Sequence, residues 1–225
     1  SDGGFVGLLL QDVSFPARIE ENRVLGFVFG IVLNNGLFTG VPFSLAAGSR
    51  IAGNYIVRLG AQVEAGTLKA FGIDVAADDC VICDNILLYA SVEYGGIAVS
   101  GRNAVVERNQ LRSILKEAGA VRPLALLLAR LGGKGSLGTI GGRVAGNTVL
   151  GVQEGIVVIG SEGAEVLDNR VESDGQEVGF GILLAASSRV RLQGNRVTNT
   201  AWPIATSGGT ANVVVDNRLA RGGGG

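Results

Sequence analysis

Ser188-Arg189-Val190-Arg191-Leu192-Gln193-Gly194-Asn195-Arg196-Val197 is the stretch whose reading decides the fold. Its skeleton is an aliphatic residue, two others, Asn, one other and a second aliphatic. The same skeleton stands at Ile19…Asn22…Val24, Ile51…Asn54…Ile56, Ile82…Asn85…Leu87, Val106…Asn109…Leu111, Val144…Asn147…Val149, Val166…Asn169…Val171 and Val214…Asn217…Leu219. The Asn-to-Asn steps are 32, 31, 24, 38, 22, 26 and 22 residues. A self-similar unit of roughly 20–30 residues marks a solenoid, in which each repeat packs only on its neighbours.

Each repeat carries a second apolar run, led by Gly and about a dozen residues earlier. These runs are Gly7-Leu8-Leu9-Leu10, Gly72-Ile73-Asp74-Val75, Gly96-Ile97-Ala98-Val99, Gly155-Ile156-Val157-Val158 and Gly181-Ile182-Leu183-Leu184. Short alternating β-branched runs bounded by Gly, Asn, Asp and Ser read as strands. Three short strands per turn, stacked turn on turn, would give parallel sheets. The residue before each Asn is Glu21, Gly53, Asp84, Arg108, Gly146, Asp168, Gly194 or Asp216. Gly and Asp dominate, the types that tolerate a left-handed backbone at a sharp corner. The column Asn22, Asn54, Asn85, Asn109, Asn147, Asn169, Asn195 and Asn217 is then expected to turn inward. Its amides would pair with the turn backbone and with one another, because a buried amide needs partners for every donor and acceptor.

Taken together, the Gly-Ile-x-Val run and the aliphatic-x-x-Asn-x-aliphatic turn resemble the right-handed parallel β-helix repeat of the pectate lyase-like superfamily. The expectation is an all-β, single-stranded right-handed parallel β-helix of about eight coils with a short helical insertion. One β-helix domain would span 1–225, as part of a larger protein. The resemblance leaves function open, because that fold carries lyases, hydrolases, epimerases, phage tailspikes and adhesins. It favours an extracellular or cell-surface setting.

Composition narrows the rest. Gly is 37 of 225 residues without a period of three, which suits a chain that turns every few residues and excludes collagen. The formal charge of −1 provides no global attraction for nucleic acid or a membrane surface. No run of 18 apolar residues exists, so no membrane span is expected. Met and His are both absent, and the chain opens on Ser1-Asp2-Gly3-Gly4 and closes on four glycines. This text reads as the repeat region of a longer chain. Cys80 and Cys83 have the spacing of a redox pair, but Cys80 falls in the column of Ala17, Ala104, Ala164 and Val190, and Cys83 in that of Glu20, Glu107 and Gln193. Side chains alternate along a strand, so one points in and the other out, and a small buried Cys is the better reading.

Two long steps stand out. Between Asn22 and Asn54, Gly26-Phe27-Val28-Phe29-Gly30-Ile31-Val32-Leu33-Asn34-Asn35-Gly36-Leu37-Phe38 suggests a broadened coil or a protruding hairpin, with Phe5, Phe27 and Phe29 as plugs for the open end of the core. Between Asn109 and Asn147, an insertion over 112–138 holds the only helical text. Pro123 would be a first helical position, Leu124, Leu127, Leu128 and Leu131 would share a face, and Gly132-Gly133 would stop the helix. Gly132-Gly133-Lys134-Gly135-Ser136 lacks the spacing and the strand–loop–helix order of a phosphate loop.

Enzymes of the resembled superfamily work on one long sheet face with clustered acids. The outward positions of the Gly-led strands here are Leu9, Asp74, Ala98, Val157, Leu183 and Ala205, and only one is acidic. Paired carboxylates for acid/base work are missing, no His can act as base or metal ligand, and no cofactor is expected. Asp78-Asp79 is similar to the adjacent Asp pair of polygalacturonase-like hydrolases, but the Gly-His-Gly and Arg-x-Lys partners of that family are absent. Asp74, Asp78, Asp79 and Asp84 lie on one coil and weigh as a calcium site against solvated turn acids; the second reading is preferred, with no metal ligands assigned.

Three further features bear on partners. The apolar outward positions Leu9, Val157, Leu183 and Ala205 are candidate interface residues, since a stripe of this kind should not face water. The insertion is expected to cover the middle coils and a partner chain the rest. Arg170, Arg196 and Arg218, one residue after the Asn in consecutive repeats, are candidate anion- or glycan-binding residues. Asp168, Glu172, Asp174 and Asp216 could neutralise them instead, leaving an ordinary solvated surface. The favoured function is a non-catalytic scaffold that binds a partner protein, its own copies or an acidic polysaccharide. The alternative is a carbohydrate-active lyase or hydrolase with unrecognised catalytic residues.

Overall fold

In the computed structural model the chain winds through eight coils, each contributing one strand to each of three parallel sheets. The structure describes residues 6–11, 13–27, 29–33, 46–59, 71–90, 94–113, 124–129, 140–173 and 179–220. Sheet A holds Val6–Leu10, Phe29–Leu33, Ile73–Ala76, Tyr94–Ser100, Leu124–Ala129, Glu154–Ile159, Phe180–Ala185 and Trp202–Ser207. Sheet B holds Arg18–Glu20, Arg50–Ala52, Val81–Cys83, Val105–Glu107, Arg143–Ala145, Glu165–Leu167, Arg191–Gln193 and Val213–Val215. Sheet C holds Arg23–Leu25, Tyr55–Leu59, Ile86–Ala90, Gln110–Ser113, Thr148–Leu150, Arg170–Glu172, Arg196–Thr198 and Arg218–Ala220.

Register stacks like on like. Ile51, Ile82, Val106, Val144, Val166 and Leu192 form one inward column on sheet B, and Ile56, Leu87, Leu111, Val149, Val171 and Val197 another on sheet C. All of these side chains are buried, and they merge with Ile31, Ile73, Ile97, Ile156 and Ile182 of sheet A into a single core. Each such aliphatic contributes about 1.5–3 kcal/mol relative to exposure. Neighbouring strands in a sheet lie about 4.8 Å apart, so each side chain sits directly over its counterpart in the coil below.

The corner between sheets B and C is one residue wide. Glu21, Gly53, Asp84, Arg108, Gly146, Asp168, Gly194 and Asp216 all have φ between 52° and 68°. The left-handed residue turns the chain, and the Asn that follows drops its amide into the coil. Asn54, Asn85, Asn109, Asn147, Asn169 and Asn195 are buried. The backbone N–H and Nδ2 of each donate to the Oδ1 of the Asn in the next coil, at 2.9–3.0 Å. Each Nδ2 also reaches a carbonyl of the coil before, as Asn195 does to Val166 at 2.8 Å.

Where sheet C hands over to sheet A, the Gly at the head of the strand leaves no room for a side chain. A Cβ on Gly181 would overlap Val197, and one on Gly155 would overlap Val171, with the backbone of the next coil as close. The corner between sheets A and B has its own polar stack, which the Asn repeat hides. Ser49 Oγ accepts the Ala17 N–H at 3.0 Å, Ser187 Oγ accepts that of Ser161 at 3.1 Å, and Asn212 Oδ1 accepts that of Val190 at 2.9 Å.

One expectation is corrected here, and the broadened coil or hairpin expected at 34–38 falls outside the described residues. The helical reading of the 112–138 insertion fails, because Gln110–Ser113 and Leu124–Ala129 are strands. Leu126, Leu127 and Leu128 pair with Ile97, Ala98 and Val99 on one side and Ile156, Val157 and Val158 on the other. A six-residue apolar run in register between two parallel strands takes the strand slot, and that tertiary pairing overrides the helix propensity of Leu and Ala. The 26–38 stretch contributes Phe29–Leu33 to sheet A, paired with Val6–Leu10 and Ile73–Ala76. Phe27 packs on the core, whereas Phe29 lies with Val6 and Val32 in a separate cluster. Phe5, residues 34–45, 114–123 and 130–139 lie outside the described residues.

Candidate functional site

The sequence offered four acids on one coil, an outward stripe on sheet A and a row of arginines on sheet C. The structure separates them. The acids do not converge. Asp78 accepts the Arg102 N–H at 2.7 Å and its guanidinium at 3.0 Å, Asp79 accepts from Asn103 at 2.9 Å, and Asp84 pairs with Arg108 at 2.9 Å. The Arg108 hydrogen bond holds the Asp84 carboxyl below its ordinary range. No group of three or more His, Cys, Asp or Glu among the described residues could hold a metal ion. The calcium arrangement is therefore replaced by turn acids, each bonded to the next coil.

Asp74 stands apart on the outward side of sheet A, between Val32 and Ala98. It is only 8 % exposed, and its Oδ2 is buried with no hydrogen-bond partner. Burial without a compensating partner pushes its pKa up to about 7. No second carboxylate lies in register beside it.

The outward stripe also differs from expectation. Val157 is buried, so it is not available as an interface residue; Leu9 is exposed, and Leu183 and Ala205 are half-buried. Val32 and Ala98 are buried as well. The face of sheet A is thus closed to water in its middle coils and opens toward Ala205. The strand Leu124–Ala129 lies within the sheet and is not its cover. Trp202, the one Trp of the chain, is exposed beside Phe180 on this opening side, a feature the repeat pattern did not single out. The signal was present in Trp202-Pro203-Ile204-Ala205, where Pro replaces the leading Gly.

The two cysteines lie on opposite sides of one strand. Cys80 belongs to the core cluster, and burial pushes its thiol up to about 12. Cys83 shares an outward column with Ala52 and Glu107 but is shielded by its neighbours, and burial, then Asp84, raises its pKa.

The arginine row is the most ordered charged feature. Arg170 pairs in register with Arg196, and Arg196 with Arg218, each one residue beyond its ladder Asn and each exposed. Their Cα atoms are neighbours across parallel strands, about 4.8 Å apart. Of the nearby acids, Glu172 bonds Arg170 at 2.9 Å. Arg196 and Arg218 form no ion pair among the described residues, and Asp216 lies toward Gln193 instead. Asp174 is outside the described residues. On sheet B, Arg18 and Arg191 likewise have no ion pair among the described residues, Arg191 donating to Gln193 at 2.8 Å, while other arginines there and nearby are paired. Arg50 pairs with Glu20, Arg143 with Glu165, and Arg189 of the preceding turn with Glu162.

Over residues 137–225, less than half of the chain, the sequence matches the family described as NosD, periplasmic copper-binding protein. That stretch holds Asn147, Asn169, Asn195, Asn217 and the whole arginine row. No curated protein matches the chain. Among solved structures, QnrB1, a plasmid-mediated fluoroquinolone resistance protein, is similar at 12% identity over 89% of this chain and 84% of that one; its TM-score of 0.21 is too low to carry weight. No helix among the described residues is long and apolar enough to cross a membrane. Eight in-register coils and a continuous amide ladder make this chain a parallel β-helix repeat protein, and its last repeats match a β-helix family.

Proposed function

We propose that this β-helix is a non-catalytic binding scaffold that holds a linear acidic polysaccharide along sheet C, with Arg170, Arg196 and Arg218 as its anion contacts. The observation that carries this reading is the register of three exposed guanidiniums, two of them without a protein counter-ion. Like charges directly opposite one another on a sheet destabilise it. An unneutralised row therefore has a cost in the free protein that a bound polyanion removes. A solenoid is well suited to the task, because its strands hold the cations at a fixed spacing along a rigid axis. Guanidinium groups match carboxylate and sulfate geometry with paired N–H donors.

The NosD description names copper, and the donors here do not fit that ion. Imidazole, thioether and thiolate groups are its preferred protein ligands. This chain has no His and no Met, and its two Cys lie on opposite sides of a strand. The enzymatic alternative rests on Asp74, an outward carboxyl whose pKa burial raises to about 7. One buried acid supplies half of a glycosidase pair, so catalysis is the second reading.

Affinity electrophoresis in gels containing polygalacturonate or a neutral glucan tests the proposal. Retardation by the acidic polymer alone, lost in Arg196→Ser, is expected. Equal retardation of wild type and Arg196→Ser would refute the role of the row, and unsaturated product released from pectate would favour the enzyme.

A further inference from the structure

The outward face of sheet C changes character along its length. A strand with one face in water alternates, apolar in and polar out, whereas a parallel strand covered on both faces reads as an unbroken apolar run. Gln110-Leu111-Arg112, Arg170-Val171-Glu172 and Arg196-Val197-Thr198 alternate. Tyr55-Ile56-Val57 and Ile86-Leu87-Leu88 do not. Ile56 and Leu87 belong to the core, while Tyr55 stacks on Ile86 and Val57 on Leu88 in two outward columns. Ile86 is 37 % exposed, and Tyr55, Val57 and Leu88 are half-buried. Both strands are interior to the sheet, with a neighbour on either side, so this exposure belongs to the face and not to an end. Arginines bound the patch along the axis. Arg23 lies in register before Tyr55, its guanidinium 5.7 Å from the ring centre, and Arg112 lies in register beyond Leu88. Both are exposed, and neither has an ion pair among the described residues.

We infer that this patch docks an amphipathic helix of a partner protein, aliphatic on one face and carrying Asp or Glu at both ends of that face. The strands under the patch are hydrogen-bonded on both sides, so they have no open edge to recruit an extended segment. A helix brings its own backbone satisfied and offers only side chains. Arg23 and Arg112 stand three coils apart, about 14 Å, a distance that about nine helical residues span. A second copy of the same face does not fit. The outward columns of sheet C hold Arg23, Arg112, Arg170, Arg196 and Arg218 against one acid, Glu172, and two such faces repel. An anionic bilayer fits no better. The corner that borders sheet C carries four acids, Glu21, Asp84, Asp168 and Asp216, to one arginine, Arg108, and half-buried aliphatics are not raised for insertion. The inference does not rest on the polyanion reading, because the patch and the row of Arg170, Arg196 and Arg218 occupy different coils.

Selection from a displayed random-peptide library against the 225-residue chain is the test. The selected peptides should carry aliphatic residues at helical spacing with Asp or Glu at either end, and should gain helical circular dichroism on binding. Ile86→Asp should weaken their binding at least about tenfold. Arg112→Glu, a charge reversal at an exposed position, should do the same without disturbing the fold. Arg196→Ser should leave peptide binding unchanged, which separates this site from the polyanion row. Failure to select any peptide overturns the inference, as do peptides that bind Ile86→Asp and wild type alike. So does Ile86-dependent sedimentation of the protein with phosphatidylglycerol vesicles, which would make the occupant a lipid surface.

Discussion

Replacing Asn195 by Leu probes the amide ladder where it is fully buried. The Asn195 side chain accepts the Asn169 N–H and Nδ2, each at 3.0 Å, and donates to Val166 O at 2.8 Å and Asn217 Oδ1 at 2.9 Å. Leucine is close in volume but leaves the Asn169 N–H and one hydrogen of its Nδ2, whose other hydrogen stays on Val144 O, without acceptors, and takes a donor from the Val166 carbonyl. An orphaned buried polar group costs about 1–3 kcal/mol, so three of them should cost roughly 3–6 kcal/mol after partial relaxation. For a chain of this size that corresponds to a fall in melting temperature of roughly 10 °C or more. Asn22→Leu is the internal control. Asn22 is exposed, its side chain donates only to Glu20 O and to Asn54 Oδ1, and water can replace both bonds, so its cost should stay near 1 kcal/mol. Calorimetry of both variants, with limited proteolysis to locate local opening in a repeat protein, gives the comparison. Equal and small losses for the two would refute the claim that the interior amides are buried and mutually paired.

Two other perturbations follow from the same geometry. For Asp74, the folded-state pKa is raised from 3.8 to about 7, so the folded chain retains a proton that the unfolded chain releases between those values. Stability should therefore fall as pH rises from about 4 to 7, by about 4 kcal/mol from this residue, and stay low above that. Asp74→Asn should match wild type at pH 4 and exceed it at pH 8 in urea unfolding; parallel pH profiles for the two proteins would contradict this. Gly181→Ala should destabilise by at least about 2 kcal/mol, because the new methyl overlaps Val197 and the Pro203 carbonyl. Gly163→Ala meets nothing within 4 Å and pays only for its φ of 69°, about 1 kcal/mol, so near-equal melting points would refute the steric account.

The Asn skeleton made the coil number and two of the three sheets legible, because it combines an inward aliphatic pair with a left-handed corner eight times. The third sheet was legible wherever a Gly led the strand. It was lost at Leu124–Ala129, where Ala125 replaces Gly and the run of leucines suits a helix as well as a buried strand. It was lost again at Phe29–Leu33, because an apolar run followed by Asn35-Gly36 suits one arm of a hairpin as well as a sheet strand led by Gly30. Among site residues, the alignment of Arg170, Arg196 and Arg218 could be counted off the ladder. Which arginines have counter-ions could not, since that depends on side-chain direction at the corner: Asp84 turns to Arg108, whereas Asp216 turns to Gln193. The burial of Val157 was equally invisible, because outward on a strand does not mean outward to solvent.

The central claim is that the row on sheet C acts as a unit toward a polyanion. Isothermal titration of polygalacturonate into the protein at several salt concentrations tests it most directly. Ion release makes log affinity fall linearly with log salt, with a slope set by the number of cations engaged. The slope should shrink by about one for each of Arg170→Ser, Arg196→Ser and Arg218→Ser, and affinity should vanish when all three are replaced. A salt slope and affinity unchanged in the triple variant would show that the row is solvated surface and that any polyanion binds elsewhere.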